Sequence, residues 1–155
     1  MSPDKDKYLV KAYPKIFRDR YEDMKKTAMC WGFDCNDGWF EIIDKLCDDI
    51  QNYLDKNPDV EQVVAQQVKE KFGGLSFYYK GGDVFIFELT KEAMGRSYKT
   101  CEFCGSTQNL GRTKEWIYTI CKHCYDNTKD FRIKNLTWRS NGESELINNV
   151  MKSEN

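Results

Sequence analysis

Apolar residues recur at helical spacing most clearly in the stretch that follows Asn36. The spacing predicts a helix that the Asp37 carboxylate caps and that ends at Asn57-Pro58, since proline disfavours helical backbone in the residue before it. The apolar positions of this helix are Trp39, Ile42, Ile43, Leu46, Ile50, Tyr53 and Leu54. Charged side chains fill the opposite face, so the pattern predicts an amphipathic helix packed on a core.

Two further stretches favour helices. One begins at Pro14, a residue suited to a first helical turn, and its apolar positions are Ile16, Phe17, Tyr21, Met24 and Ala28. The other follows Gly81-Gly82, begins with Asp83 as its cap and runs toward Tyr98. This last helix leads the chain to its first pair of cysteines.

The stretch from Val63 to Tyr79 fits either a helix or a β-hairpin. Its upstream half has apolar residues at both spacings, but Gly73-Gly74 is typical of a two-residue hairpin turn. With that turn, Phe72 faces Leu75, and the pairs Glu70–Phe77 and Val68–Tyr79 follow. We therefore predict an antiparallel hairpin.

Four cysteines form two pairs with metal-ligand spacing. Cys101 and Cys104 are separated by two residues, as are Cys121 and Cys124, and 16 residues lie between the pairs. Each short pair directs two sulfurs to one point, and Gly105 permits the tight return of the chain. The segments 109–114 and 116–120 are long enough for a hairpin between the pairs, and a helix is predicted after Cys124. The spacing predicts a structural Zn²⁺ site in a zinc-ribbon or treble-clef-like module.

Two disulfides, a redox dithiol and an iron–sulfur cluster are the alternatives for these cysteines. Four thiolates close the coordination sphere of zinc and leave no position for a catalytic water. The single histidine, His123, excludes chemistry that needs two imidazoles. The cysteine pattern therefore favours a structural metal over an enzyme, although it does not decide the question.

Basic and aromatic residues occur together in the cysteine-rich segment, a combination that can hold phosphates and stack bases. The candidate contacts with a ligand or nucleic acid are Lys69, Lys71, Arg96, Arg112, Lys114, Trp116 and Arg132. Aromatic residues also cover the small cores of zinc modules, which is the simpler interpretation of this pattern. A pocket beside Lys69, Lys71 and Arg96 is predicted to suit a small nucleotide or another anion.

Charge and composition limit the cellular setting. The 24 basic and 25 acidic residues nearly cancel, so no overall field attracts the chain to nucleic acid or membranes. No apolar run approaches the roughly 18 residues that cross a bilayer, and the first residues lack the apolar core of a secretory signal. We expect a cytoplasmic protein without a membrane partner.

Three motifs together resemble a group of small uncharacterised bacteriophage and prophage proteins. They are the sequence DGWF at 37–40, QVKEKFGGL at 67–75, and CEFCG at 101–105 followed by Ile120-Cys121. The resemblance covers roughly residues 31–124 and implies a phage origin and a role in the host cytoplasm. Ser76 stands where such proteins often have a basic residue.

These observations predict an α+β protein of one compact unit. Residues 1–100 form helices packed on a short antiparallel hairpin, residues 101–140 the zinc module and residues 141–155 a tail, in which Leu146, Ile147 and Val150 suit a short docking helix. The favoured function is a non-enzymatic phage accessory protein that binds a host protein, as a defence antagonist or regulator. Binding of nucleic acid and binding of a small nucleotide or other anion are the alternatives.

Overall fold

The computed structural model describes residues 1–141 and confirms the α+β class. These residues form five α-helices: α1 Pro3–Ala12, α2 Phe40–Lys56, α3 Val84–Ser97, α4 Lys122–Asn127 and α5 Phe131–Lys134. They also form six strands: β1 Phe33–Asp34, β2 Val64–Lys71, β3 Gly74–Lys80, β4 Leu110–Thr113, β5 Thr119–Cys121 and β6 Trp138–Ser140. Residues 1–100 are called the N-terminal lobe below, and residues 101–141 the C-terminal lobe.

The N-terminal lobe is built on a three-stranded sheet in the order β1-β2-β3. The hairpin strands β2 and β3 are antiparallel, whereas the short β1 runs parallel to β2, with Phe33 opposite Val68. Helix α2 packs its apolar face into the core, where Trp39, Ile43 and Ile50 are fully buried. The predicted amphipathic helix and its packing are therefore confirmed.

The Asp37 carboxylate does not cap α2 as predicted. The residues Asp37–Trp39 form a 3-10 turn, and α2 begins at Phe40 without a side-chain cap. Asp37 instead accepts a hydrogen bond from the backbone N–H of Ser2 at 2.6 Å and pairs with Lys5 at 3.6 Å. The carboxylate is thus used to attach α1, a helix that the sequence analysis did not predict.

The helix predicted from Pro14 is wrong. Residues 14–26 form turns, in which Ile16 and Phe17 are buried but Tyr21 and Met24 are exposed. The Ile16 carbonyl accepts the backbone N–H of Ala65 at 2.8 Å, so a contact with the sheet replaces a helical hydrogen bond. Arg20 turns inward, toward Asp6 and the Cys30 carbonyl. Tertiary contacts therefore override the local spacing here.

The predicted hairpin is confirmed, but its turn lies one residue earlier than predicted, so each residue of β2 pairs two positions earlier on β3. The turn residues are Phe72 and Gly73, with Lys71 opposite Gly74 and Glu70 opposite Leu75. Phe72 has φ 53° and Gly73 φ 79°, the left-handed backbone of a tight hairpin turn. A phenylalanine is an unusual residue for that conformation, which explains why the sequence favoured the two glycines.

Helix α3 begins as predicted, because the Asp83 carboxylate accepts the backbone N–H of Ile86 at 3.1 Å. At its other end, the Ser97 hydroxyl accepts the backbone N–H of Leu75 at 2.8 Å. Gly74 has no space for a side chain, since an added Cβ would lie 2.4 Å from the Tyr98 ring. The end of α3 is thus fitted closely against the start of β3.

The C-terminal lobe contains a second three-stranded sheet in the order β5-β4-β6, with both pairings antiparallel. The predicted hairpin between the cysteine pairs is present as β4 and β5. Helix α4 begins at Lys122, before Cys124 rather than after it. A cysteine-bearing turn, a hairpin and a cysteine-bearing helix follow one another, which is the order of a treble-clef-like module.

The tail residues Leu146, Ile147 and Val150 lie outside the described residues, so the predicted docking helix stays a prediction. Within residues 1–141, no helix combines the length and the apolar character needed to cross a membrane. The longest is α2, with 17 residues.

Candidate metal centre and inter-lobe cleft

The first cysteine pair lies on a tight turn between α3 and β4. The backbone N–H of Gly105 donates to the carbonyl of Cys101 at 2.9 Å, and Cys101 donates its own N–H to Ser106 at 2.8 Å. Gly105 has φ 78°, so glycine meets the requirement that the sequence analysis assigned to it. This turn directs the sulfurs of Cys101 and Cys104 to the same side.

The second pair lies where β5 becomes α4. Cys121 is the last residue of β5 and the N-cap of α4, and its sulfur accepts the backbone N–H of Cys124 at 3.4 Å. Strand β5 is held beside the first pair, because Glu102 donates its backbone N–H to the carbonyl of Thr119 at 3.0 Å. The sheet thus brings the two pairs together across 16 intervening residues.

The four sulfurs form one cluster, with all of them within 4.8 Å of one another. The Cys104 and Cys121 sulfurs are 3.7 Å apart. A tetrahedral ion with metal–sulfur bonds of about 2.3 Å has sulfur–sulfur edges of about 3.8 Å. The cluster therefore has the dimensions of a site that can hold a metal ion.

Burial disfavours the ionised, thiolate form of these cysteines when no cation is bound. Cys101 is fully buried and Cys121 nearly so, while Cys104 is exposed. Burial raises the pKa of the Cys101 thiol to about 11, because the interior disfavours the charged sulfur. A bound metal cation would supply the opposite charge and stabilise the thiolates.

The turn that bears the first pair is docked on the N-terminal lobe. Gly38 donates its backbone N–H to the Glu102 carbonyl at 2.7 Å, and the Trp39 indole N–H donates to the Thr100 carbonyl at 3.0 Å. A Cβ added to Gly38 would lie 2.1 Å from the Cys101 carbonyl oxygen. The start of α2 and the cysteine turn are therefore in direct backbone contact.

Glu102 is the residue between the cysteines that faces the N-terminal lobe, and it is only 1% exposed. Its Oε1 accepts the backbone N–H of Asn36 at 3.1 Å and the side-chain amide of Asn36 at 2.8 Å. Its Oε2 is buried and has no hydrogen-bond partner among residues 1–141. Burial raises the pKa of Glu102 to about 7. The sequence analysis did not single out this residue, because its burial depends on contact with Asn36, 66 positions away.

A cleft of about 800 Å³ lies between the two lobes. Lys69 and Lys71 of β2 border it from the N-terminal lobe, and Trp116 and Arg132 border it from the C-terminal lobe. Asn36 and Glu102 also line it. The two lobes meet at the hairpin turn, where the Thr119 hydroxyl donates to the Gly73 carbonyl at 2.6 Å.

The basic side chains of the cleft differ in how they are held. The ammonium groups of Lys69 and Lys71 lie over the rings of Tyr78 and Phe72, each 5.7 Å from the ring centroid. The Arg132 guanidinium forms an ion pair with Asp130 at 2.7 Å. The two lysines are therefore the more available cations, since Asp130 already offsets part of the arginine charge.

The remaining candidate contact residues lie elsewhere. Arg96 borders a shallow groove between α2 and α3, and not the inter-lobe cleft. The Arg112 guanidinium is 4.9 Å from the centre of the Tyr98 ring, and Lys114 is exposed after the end of β4. The structure thus brings four of the seven candidate residues together: Lys69, Lys71, Trp116 and Arg132.

The C-terminal lobe thus has a four-cysteine cluster with the dimensions of a metal site. The turn that bears two of those cysteines also forms part of the cleft. Comparison with known proteins adds no assignment: no protein family, curated protein or solved structure matches this chain.

Proposed function

We propose that this is a zinc-stabilised binding protein, in which the metal is structural and the inter-lobe cleft takes a small anionic ligand. The observation that carries the proposal is the convergence of Lys69, Lys71, Arg132 and Trp116 on one cleft of about 800 Å³. Ligand pockets have volumes of about 300 to 1,000 Å³. The cleft is therefore of a suitable size for a compound as large as a nucleotide.

Zinc is the ion that best fits the cluster. Four cysteines on two short turns form the usual ligand set of a structural zinc site, and all four coordination positions are occupied by protein. An iron–sulfur cluster uses the same ligand type. Elemental analysis of the purified protein separates the two, with one zinc per chain and no iron or acid-labile sulfide as the expected result.

Cys104→Ser tests the ligand assignment, with Cys30→Ser as the matched control outside the cluster. The first variant is expected to lose most of its zinc and the second to keep it. Cobalt substitution gives a further test, because four thiolates around Co²⁺ produce an intense tetrahedral spectrum. Zinc content that is unchanged in Cys104→Ser would contradict the site.

Calorimetry tests the cleft as the binding site. The panel consists of pyrophosphate, ribose 5-phosphate and the four ribonucleoside monophosphates. At least one member is expected to bind, and the double variant Lys69→Gln/Lys71→Gln is expected to bind it more weakly. Lys114→Gln is the control, since Lys114 is exposed but does not border the cleft. Failure of every member of the panel to bind would contradict the proposed ligand class.

The origin and partner that the sequence favoured stay predictions. These are a bacteriophage source, a cytoplasmic location and a host protein as partner. Binding to a long nucleic acid has less support than the cleft, because Arg112 lies against Tyr98 and Arg132 is paired with Asp130. Such binding would weaken steeply with salt, whereas capture of one small anion would depend on it only moderately.

A further inference from the structure

Helix α3 has apolar side chains on two opposite faces. Ile86 and Ala93 are buried and pack into the core of the N-terminal lobe. On the outer face, Val84 is 75% exposed, Phe87 51% and Met94 37%. A surface helix ordinarily has polar residues opposite its core face, and a helix that is apolar all round is usually buried. The outer face of α3 therefore has the character of a buried surface, although this chain by itself leaves it exposed.

The exposed residues of this face have the spacing of a contact with another helix. Val84, Phe87, Lys91 and Met94 follow one another at steps of three, four and three residues, the alternation found where two helices pack side by side. Residues at these steps are neighbours on a helix surface, so the four side chains form one row, here called the α3 seam. The seam is about 15 Å long at 1.5 Å per residue and suits one partner helix.

The centre of the α3 seam carries both signs of charge beside an aromatic ring. The Lys91 ammonium lies 5.4 Å from the centroid of the Phe87 ring and 3.4 Å from the Glu88 carboxylate, and both charged side chains are more than half exposed. Phe85 lies outside the seam, because its ring packs at 4.3 Å on the Tyr53 ring of α2. The seam is thus apolar toward both ends and has a cation, a carboxylate and a ring at its middle.

We infer that the α3 seam binds the α3 seam of a second copy of this chain, with the two helices antiparallel. The two-fold axis passes at the level of Leu89. Val84 and Met94 lie five residues to either side of that level, and Phe87 and Lys91 lie two residues to either side. In this arrangement Val84 of each copy faces Met94 of the other. Both apolar ends of the seam are therefore covered by apolar groups.

Charge decides the direction of the pairing and identifies the occupant. A parallel pair of α3 helices would place Lys91 opposite Lys91 of the other copy, where like charges repel. The antiparallel pair places the Lys91 ammonium against the Phe87 ring and the Glu88 carboxylate of the other copy, and symmetry makes each contact twice. The aliphatic part of Lys91 covers apolar surface while its ammonium reaches the edge of the seam. The seam is therefore complementary to itself.

This inference does not depend on the proposed ligand. The inter-lobe cleft is bordered by β2, by the segment around β1 and by the C-terminal lobe, and not by residues 84–97. Pairing through α3 thus leaves the cleft open to solvent. One helix of 14 residues from each copy forms a small interface, and small interfaces are typical of weak complexes. We expect a dissociation constant in the micromolar range.

Sedimentation velocity of the zinc-loaded full chain tests the association. From the low micromolar to the high micromolar range, the mass is expected to rise from the 18.3 kDa of one chain to twice that value. Phe87→Ser should raise the dissociation constant at least about tenfold, because two ring contacts are lost in each dimer. Phe131→Ser is the matched control, since Phe131 is 71% exposed on the C-terminal lobe. A monomer at every concentration, or equal effects of the two variants, would overturn the inference.

Charge exchange tests the antiparallel arrangement. Glu88→Lys and Lys91→Glu are each expected to weaken association at least about tenfold, since two attractive pairs become repulsive. An equal mixture of the two variants should dimerise again, because the new lysine of one chain faces the new glutamate of the other. Glu92→Lys is the control, since Glu92 is exposed on the side of α3 that borders α2.

The mixture distinguishes pairing between copies from any effect within one chain, because mixing cannot repair an intramolecular contact. A mixture that stays monomeric while Glu92→Lys dimerises would overturn the antiparallel pairing. Zinc content and thermal midpoint are measured on every variant. The substituted side chains are all exposed, so folded, zinc-loaded protein is expected throughout.

Discussion

Gly38 donates its backbone N–H to the carbonyl of Glu102 at 2.7 Å, and this bond joins the first turn before α2 to the turn between two cysteines. The approach is so close that a Cβ on Gly38 would lie 2.1 Å from the Cys101 carbonyl and 2.6 Å from the Glu102 carbonyl carbon. The obstructing atoms are backbone, which cannot rotate away. Only glycine fits at this position without moving one lobe.

Gly38→Ala is therefore expected to be strongly destabilising. Forcing a methyl group into a closely packed site costs about 1 to 3 kcal/mol, and the backbone contact here places the variant at the upper end. The measurement is urea unfolding of the zinc-loaded protein. Gly95→Ala is the control, because no atom lies within 4 Å of its added Cβ and alanine favours the helical interior of α3. Equal effects of the two variants would contradict the close contact.

Metal removal is expected to unfold the C-terminal lobe. Apparent metal-binding free energies of zinc-finger peptides are about 10 to 16 kcal/mol, comparable to or larger than the roughly 5 to 15 kcal/mol of total stability of a typical domain. A chelator under reducing conditions should abolish amide-exchange protection in β4 and β5, and readdition of zinc should restore it. Protection that persists at Ile120 after complete removal of the metal would show that the lobe folds without it.

Asp6 and Arg20 form a buried ion pair, so we expect removal of either partner to lower the free energy of unfolding substantially. The Arg20 guanidinium donates to Asp6 at 3.0 Å and to the Cys30 carbonyl at 2.8 Å, with both side chains largely buried. Leaving one buried charge unpaired costs about 3 to 5 kcal/mol. Asp6→Asn should therefore lower the free energy of unfolding by an amount near that range.

Lys26→Ala is the control for the Asp6 variant. It breaks the exposed pair with Glu22, at 3.0 Å, and exposed pairs contribute about 0 to 1 kcal/mol. Chemical denaturation measures both variants. A similar small loss in each would mean that the pair attaching α1 has no special energetic role.

The hairpin turn predicts a stabilising substitution. Phe72 is 70% exposed and has φ 53°, so little apolar burial compensates for its left-handed backbone. Asn-Gly is the preferred pair for such a turn, and the left-handed conformation costs other residues about 1 to 2 kcal/mol. Phe72→Asn should raise the thermal midpoint. Phe72→Ala is the control and should not, since alanine pays the same backbone cost.

Replacement of Glu70 by glutamine is expected to raise the free energy of unfolding in a pH-dependent way. Burial raises the pKa of its carboxyl, with Asp34 adding to the rise and the Gly73 N–H and Lys69 opposing it. A raised folded pKa means that the folded state binds the proton more tightly, so stability is lost as the pH rises through the folded pKa. Glu70→Gln should stabilise the protein at neutral pH and have little effect below the ordinary titration range of glutamate. Urea unfolding at both pH values measures the difference, and a pH-independent effect would contradict it.

Four features could be predicted from the sequence because each depends on local spacing: helix α2, helix α3, the β2–β3 hairpin and the four-cysteine cluster. The structure of the segment after Pro14 could not be predicted. There Arg20 turns inward to Asp6, which lies on a helix that the sequence analysis did not predict. The hairpin register depends on Phe72 in a conformation that favours other residues, and on the Tyr98 ring that excludes a side chain at Gly74.

The candidate site could be predicted only in part, because it too depends on contacts between distant parts of the chain. Lys69, Lys71, Trp116 and Arg132 were recognisable as residue types, but their convergence depends on how the two lobes dock. Glu102 carries no local signal at all. Its burial results from contact with Asn36, a residue 66 positions away in the chain.

Consecutive residues face two different sites in this protein, because Cys101 is in the sulfur cluster while Glu102 lines the cleft. One peptide bond therefore separates a member of the sulfur cluster from a residue that lines the cleft. If a ligand in the cleft alters the affinity of the cluster for an ion, reciprocity requires that the ion alter the affinity for that ligand by the same factor. Metal titrations with the cleft filled and with it empty would measure that factor.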